Sequence, residues 1–216
     1  VMKGVFFLFT FFLLLNANGQ ESDTVNLGKG TWISGVEGGI SNTRTLAGGG
    51  TDIVRSVDYL FNFNSGLFLS ERFSLGLNLK LTKSGETRTS YVSTSEELYL
   101  GPWFRYYIPL QYNWYLYPEL GASFVNYYSE LYEDNNTDYS IAKGQGLGIN
   151  PGIGVVYFVS KTAAFSIRWN YQWNIIKGEY ELYENGVFRV NPINNYQFGN
   201  SSIFFGFQLY INEFFF

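Results

Sequence analysis

Residues 72–85 read "RFSLGLNLKLTKSG", with a large apolar residue at every second position. Phe73, Leu75, Leu77, Leu79 and Leu81 share one face, and Ser74, Gly76, Asn78, Lys80 and Thr82 share the other. Period two marks an extended strand with two unlike faces. The fold depends on which face looks inward. In a soluble sandwich or barrel the leucines would form the core. In a membrane barrel they would meet lipid, with Asn78 and Lys80 inside.

The alternation recurs along the chain, giving eight candidate strands in all. Residues 32–40 set Trp32, Val36 and Ile40 against Glu37, and residues 56–69 set Tyr59, Phe61, Phe63 and Leu67 against Asp58, Asn62, Asn64 and Gly66. In residues 97–108, Leu98, Leu100, Phe104, Tyr106 and Ile108 oppose Glu97, Gly101 and Arg105. In residues 114–127, Trp114, Leu116, Leu120 and Phe124 oppose Glu119, Gly121 and Ser123. Residues 146–159 follow the same plan, with glycines and Asn150 on the polar face. Residues 163–175 set Phe165, Ile167, Trp169, Tyr171 and Trp173 against Ser166, Arg168, Asn170 and Gln172. Residues 202–211 carry Ile203, Phe205, Phe207, Leu209 and Ile211 on one face.

The connections alternate strictly. Residues 70–72, 109–113 and 160–162 are short, whereas 41–55, 83–96, 128–145 and 176–201 are long. That is an up-and-down meander whose two ends face different compartments, as in outer-membrane barrels with short periplasmic turns and long outer loops. It places both chain ends on the periplasmic side.

Composition narrows the classes. Aromatics make up 20% and charged residues 15%, against about 25% charged in an ordinary globular chain. Beyond the first residues no apolar run is long enough for a spanning helix, but alternating membrane strands do not need one. The net charge of −4 gives no footprint for nucleic acid. The chain has no Cys, so its fold is stable without disulfides.

The start, "VMKGVFFLFTFFLLLNANGQ", places Lys3 before a short apolar run and small residues at Ala17 and Gly19. This is the plan of a cleaved secretory signal. The expected organisation is a signal peptide at 1–19, a short periplasmic N-terminal segment at 20–30 and an outer-membrane β-barrel domain at 31–216, in a Gram-negative-type bacterium.

Volume settles the opening question. An eight-stranded barrel has an interior just wide enough to be filled by side chains. The apolar faces carry far too many Phe, Trp, Tyr and Leu residues for that space, whereas the opposite faces, rich in Gly, Ser and Asn, fit. The expectation is an all-β, eight-stranded antiparallel up-and-down transmembrane barrel. Leu75, Leu77, Leu79, Phe165, Ile167, Trp169, Phe205, Phe207 and Leu209 face lipid. Glu37, Asp58, Lys80, Glu97, Arg105, Glu119 and Arg168 are interior charges. Trp114, Tyr115, Tyr106, Tyr171 and Trp173 form aromatic girdles at the interfaces, where an apolar ring with a polar edge is favoured. Pro102, Pro118 and Pro151 fall inside strands, each removing a ladder donor, and predict bulges or kinks.

At "GPWFRYYIPL" (101–110), "YPELGASF" (117–124) and "GLGINPGIGVVYFVSKTAAFSIRW" (146–169) the chain resembles the small porin-like outer-membrane β-barrel family and the OmpA- and OmpX-type eight-stranded barrels. The resemblance implies a terminal aromatic, here Phe216, read by the barrel-assembly machinery, although Phe216 is out of phase with Phe207, Leu209 and Ile211. It also implies contact with outer-membrane lipid and lipopolysaccharide. Enzymes on such scaffolds depend on histidine, and this chain has none. Without His or Cys, Ser–His and Cys–His nucleophiles are impossible, and zinc or copper sites lose their usual ligands.

No catalytic site, metal site or cofactor is therefore expected. The interior charges nearly balance, which suits a self-satisfied, salt-bridged filling, since buried charges must be paired. The alternative is a narrow porin-like channel for ions or small solutes, lined or gated by Arg105 and Arg168. The acidic stretch holding Glu130, Glu133, Asp134 and Asp138 lacks the spacing of a calcium loop and reads as solvated. In "EYELYENGVFRV" the Asn185-Gly186 pair is a hairpin signal, predicting a ribbon beyond the membrane. Tyr180, Tyr183 and Phe188 beside it are candidates to dock an extracellular or surface partner. The function expected is structural, adhesive or recognition-based, through the outer loops.

Overall fold

The computed structural model describes residues 25, 27–46, 53–87, 91–133, 138–184 and 186–212. The predicted signal, Asn185 and Phe216 fall outside them, as do the side chains of Asp58 and Glu133. Every regular element in the described residues is a strand: β1 (Trp32–Leu46), β2 (Ile53–Phe68), β3 (Phe73–Thr87), β4 (Tyr91–Tyr106), β5 (Ile108–Pro109), β6 (Trp114–Glu133), β7 (Tyr139–Phe158), β8 (Ala163–Glu184) and β9 (Val187–Ile211). β4 and β5 are one strand interrupted at Tyr107, whose N–H donates instead to the Arg72 carbonyl at 2.7 Å. Both pieces pair with β6 in one continuous register.

Each strand pairs antiparallel with its neighbours in the chain, and β9 returns to pair with β1. The result is a closed barrel of eight strands. Closure satisfies the backbone groups that an open sheet edge would leave bare in lipid.

The two faces separate as period two requires. Leu77, Phe165 and Phe205 are half or more exposed, while Asn78, Ser166 and Phe204 beside them are buried. The leucines are outside. A continuous apolar exterior this large has no place on a monomer in water, and it surrounds a polar interior, the arrangement of a membrane barrel.

The strands run much farther than apolar alternation predicts. The expected long connections at 41–55, 83–96, 128–145 and 176–201 are mostly strand. β3 continues to Thr87 before β4 begins at Tyr91, and β8 reaches Glu184 before β9 begins at Val187. A membrane strand needs about 9–11 residues. β1 to β4 have 15 or 16 residues, and β6 to β9 have 20 to 25. The barrel therefore continues above its apolar belt as a wall, taller on the β6–β9 side.

The prolines do not mark bulges. Register is continuous through Pro102, Pro118 and Pro151. Each coincides instead with a gap in one ladder, where its missing N–H would have donated. The β4–β6 pairing skips Gly101 and Pro102, and the β7–β8 pairing skips Asn150 and Pro151. Pro118 lies beyond Glu119, the last β6 residue paired with β4, at the level of the Tyr107 interruption. The side chain of Asn170 donates to the Pro151 carbonyl at 3.2 Å, taking over one of these lost contacts. The register shift that does occur lies in the β8–β9 ribbon, between Ile176 and Gly178.

Candidate functional site

The interior is filled in layers. At the short-turn end Phe68, Trp103, Tyr107, Tyr117, Phe158 and Tyr210 are buried together as an aromatic floor. Sequence reading missed this floor, because it assigned the inward faces to small and polar residues. The signal was present in parity: Trp103 and Tyr107 share the parity of inward Arg105, and Tyr117 that of inward Glu119.

Glycines on the facing strands make the room. Gly76 pairs with Trp103, and a Cβ there would sit 2.4 Å from Trp103 Cζ2. Gly154 pairs with Tyr117, and its Cβ would sit 2.4 Å from Tyr117 Cζ. The large rings thus lie over strand positions that carry no side chain, which is how bulky residues fit an eight-stranded interior.

Above the floor is a layer of charge. Arg105 and Glu119 are directly opposed across β4 and β6 and form a buried ion pair through Nε and Oε2. Arg168, on β8, donates from Nη1 to the other Glu119 oxygen and from Nη2 to Glu37 Oε2, the latter at 2.5 Å. Glu37 also accepts from Asn62 Nδ2 at 2.8 Å. Arg168 therefore ties β6 to β1 through the lumen. The aromatic layer contacts it too: the Arg105 guanidinium lies 4.4 Å from the Trp103 ring and 4.8 Å from that of Tyr117, within cation–π range. Gly206 opposite Glu37 leaves space for that carboxylate, since a Cβ there would be 2.4 Å from Glu37 Cγ.

A second polar layer crosses the lumen nearer the wall. Lys80 on β3 donates to Gln172 Oε1 on β8 at 3.1 Å and sits 3.7 Å over the Tyr99 ring. The Tyr99 hydroxyl donates to Glu97 and accepts from Asn174 Nδ2 at 3.1 Å. Six of the seven predicted interior charges are thus buried and brought into two layers, three carboxylates with three cations.

Among solved structures with a similar architecture is the outer membrane protein OprG of Pseudomonas aeruginosa. It aligns over 88% of this chain and 100% of its own, at 13% identity and a TM-score of 0.55. Ail, the attachment invasion locus protein of Yersinia pestis, aligns over 85% of this chain and 99% of its own, at 11% identity and a TM-score of 0.52. The fold is that of an outer-membrane β-barrel. No protein-family model and no curated protein sequence matches the chain.

On the outside of this outer-membrane barrel fold, Leu75, Leu79 and Ile167 are half-buried by outward neighbours, while Leu77, Phe165, Trp169, Phe205, Phe207 and Leu209 are exposed. Of the predicted girdle, Tyr106, Tyr171 and Trp173 are exposed on the exterior, and Trp114 packs on Tyr157 at 4.7 Å. Tyr115 is the exception. Its phase is that of Tyr117 and Glu119, so it points inward, meeting Phe158 edge-on at 5.5 Å and donating its hydroxyl to the Val25 carbonyl at 3.0 Å. It belongs to the floor and not to a girdle.

The β8–β9 hairpin closes where the sequence places it. Glu184 pairs with Val187, and Gly186 has φ of 77°, a left-handed value that glycine accepts without strain. Tyr183 stacks on Tyr139 of β7 at 5.3 Å, Tyr180 is half-buried opposite Asn191, and Phe188 is exposed. Lower on the wall, the Tyr128 hydroxyl donates to Glu130, whose carboxylate pushes the phenol up to about 12. At the upper edge of the apolar belt a groove of about 520 Å³ crosses the outer face of β2, β3, β4 and β6. Phe61, Leu81 and Leu98 line it together with the more polar Tyr59, Lys83 and Tyr128.

Proposed function

We propose that the protein resides in the outer membrane as a largely closed barrel and acts outward, in structural, adhesive or recognition roles carried by its loop-side wall. One observation carries this reading: Arg168 and Lys80 cross the lumen at two levels and are held there by Glu119, Glu37 and Gln172. Two cross-lumen bridges above a packed aromatic floor support a closed interior over an ion path. The ribbon supports the outward role. It presents Val187, Phe188 and Val190 to solvent on strands far longer than a membrane crossing requires. Lipid and lipopolysaccharide contact is supported by the apolar belt and by the groove at its upper edge, and assembly would draw on the barrel-assembly machinery. A catalytic role has no support in the residue types of the interior, which include neither His nor Cys.

The test is single-channel recording of the refolded chain in a planar bilayer. The expected result is a silent, correctly folded protein. Discrete openings whose conductance changes on Arg105→Gln or Arg168→Gln would overturn the closed reading and establish the channel in its place.

A further inference from the structure

β9 is the longest strand, and its two edges are used unequally. On one side it pairs with β8 up to the Glu184–Val187 pair. On the other, among the described residues, its pairing with β1 ends at Asn200, opposite Thr43. β1 continues to Leu46 alongside β2 alone. From Val187 to Gly199 the strand thus carries one edge of backbone groups that no described strand pairs. In an antiparallel ladder, bonded and non-bonded pairs alternate. Glu184–Val187 is the bonded pair that closes the two-residue turn. Counting from it, Val187, Arg189 and Asn191 aim their backbone groups at β8, and Phe188, Val190 and Pro192 aim theirs at the free edge. Pro192 fits that count. It has no N–H, and a sheet tolerates proline where no ladder needs the donor.

The face beside this edge is apolar at the rim and acidic behind it. Phe188, Val190 and Pro192 share one face and are exposed. Their β8 neighbours on that face include Glu181, opposite Val190, and Glu179, opposite Pro192. Glu130 of β6 stands in the same row as Glu181, with Ile141 between them. Lys143 bonds Glu181 at 3.2 Å, and Lys177 lies two residues from Glu179, so the three carboxylates outnumber the cations set among them. An unpaired strand edge is a template for another extended chain. A second copy in the same membrane does not fit it. Its β9 would rise in the same direction, whereas strands related by a two-fold axis pair only antiparallel. We infer that the edge from Phe188 to Pro192 is a strand-addition site for an extended segment of another protein. That segment places apolar residues against Phe188 and Val190 and a basic residue within reach of Glu179. The site rests on the outward-acting reading and gives it a surface and a kind of partner.

The probe is a dye-labelled seven-residue peptide that alternates threonine with valine and lysine, with lysine at both ends. Fluorescence anisotropy follows its binding to the full chain refolded in lipid vesicles. In the inferred mode the valine amides face β9 and the threonine amides face away. N-methylation of the valine amides is expected to weaken binding about tenfold or more, as the loss of two backbone hydrogen bonds does. N-methylation of as many threonine amides leaves binding unchanged. In the barrel, Val190→Pro removes a donor from the free edge and no bond to β8, and weakens binding by a similar factor of about ten. Glu179→Gln gives a smaller loss of about threefold that added salt abolishes. Equal effects of the two methylations, or no binding of the parent peptide, would overturn the site. If Val190→Pro does not fold, as judged by circular dichroism, the methylated pair decides alone. Failure here is distinct from failure of the closed barrel: peptide binding reads the edge, whereas conductance reads the lumen.

Discussion

The barrel's floor and its wall are made of the same hydrogen-bonded ladders and differ in everything else. In the floor, rings press on glycines, and just above it Glu119 accepts from both Arg105 and Arg168; in the wall, long strands rise with many residues on both faces partly exposed. The floor is determined by side-chain fit and the wall by backbone pairing. A change of side chain should therefore be felt strongly below and weakly above.

The largest effect is expected at Glu119, whose carboxylate serves both Arg105 and Arg168. Glu119→Gln leaves two buried guanidiniums short of a counter-charge and should cost about 3–5 kcal/mol, the range for breaking a buried ion pair from one side. Urea unfolding of the barrel refolded in lipid vesicles measures it, and an unchanged midpoint would mean that the charge layer is not what holds the lumen shut.

Next come the glycines. Gly76→Val drives two methyl groups toward Trp103 and should cost about 1–3 kcal/mol, as overpacking of a filled core does. Gly85→Val, high on β3, meets nothing within 4 Å and should leave the midpoint where it is. Equal effects at the two positions would erase the distinction between floor and wall. The smallest effect belongs to Lys83 and Glu96, paired at 2.6 Å but with more than half of each side chain exposed. Lys83→Gln should not shift the midpoint measurably, because exposed pairs are screened. The same Glu96 carboxylate holds the Lys83 ammonium above its ordinary range, a direction that nuclear magnetic resonance titration can check.

How far the sequence could be read follows the same division. Inside the belt, lipid on one side and a polar lumen on the other force alternation. Leu75 to Leu81 against Ser74 to Thr82 therefore gave strand, phase and orientation together. The charges were legible for the same reason, since Glu37, Lys80 and Arg168 each sit one residue from an outward apolar side chain. Above the belt both faces meet water, and alternation loses its cause. "SGET" at the end of β3 and "STSE" near the start of β4 read as loop although they are strand. The floor was missed for another reason. An inward Trp103 or Tyr117 is an aromatic among aromatics, told apart in the sequence only by its parity with Arg105 or Glu119; the firmer sign, the glycines opposite at Gly76 and Gly154, needs the register. Tyr115, opposite Pro109 and Val156, was misread although it shares the parity of Tyr117 and Glu119.

One consequence of the topology concerns the order of events when the chain folds. Seven of the ring's eight junctions join segments that follow one another, and each can zip from its own turn as a hairpin. The eighth joins Trp32 to Ile211 and runs to the Thr43–Asn200 pair, connecting the two ends of the sequence. Bringing distant segments together costs chain entropy that grows with the length between them, and such pairings are slow to form. The seam between β1 and β9 is thus the one step that no local hairpin can template. It is reached by a sheet already curled far enough for its edges to meet. The Thr31–Asn212 hydrogen bond lies just beyond the Trp32–Ile211 end of that seam, where it can fasten the two edges once they have met.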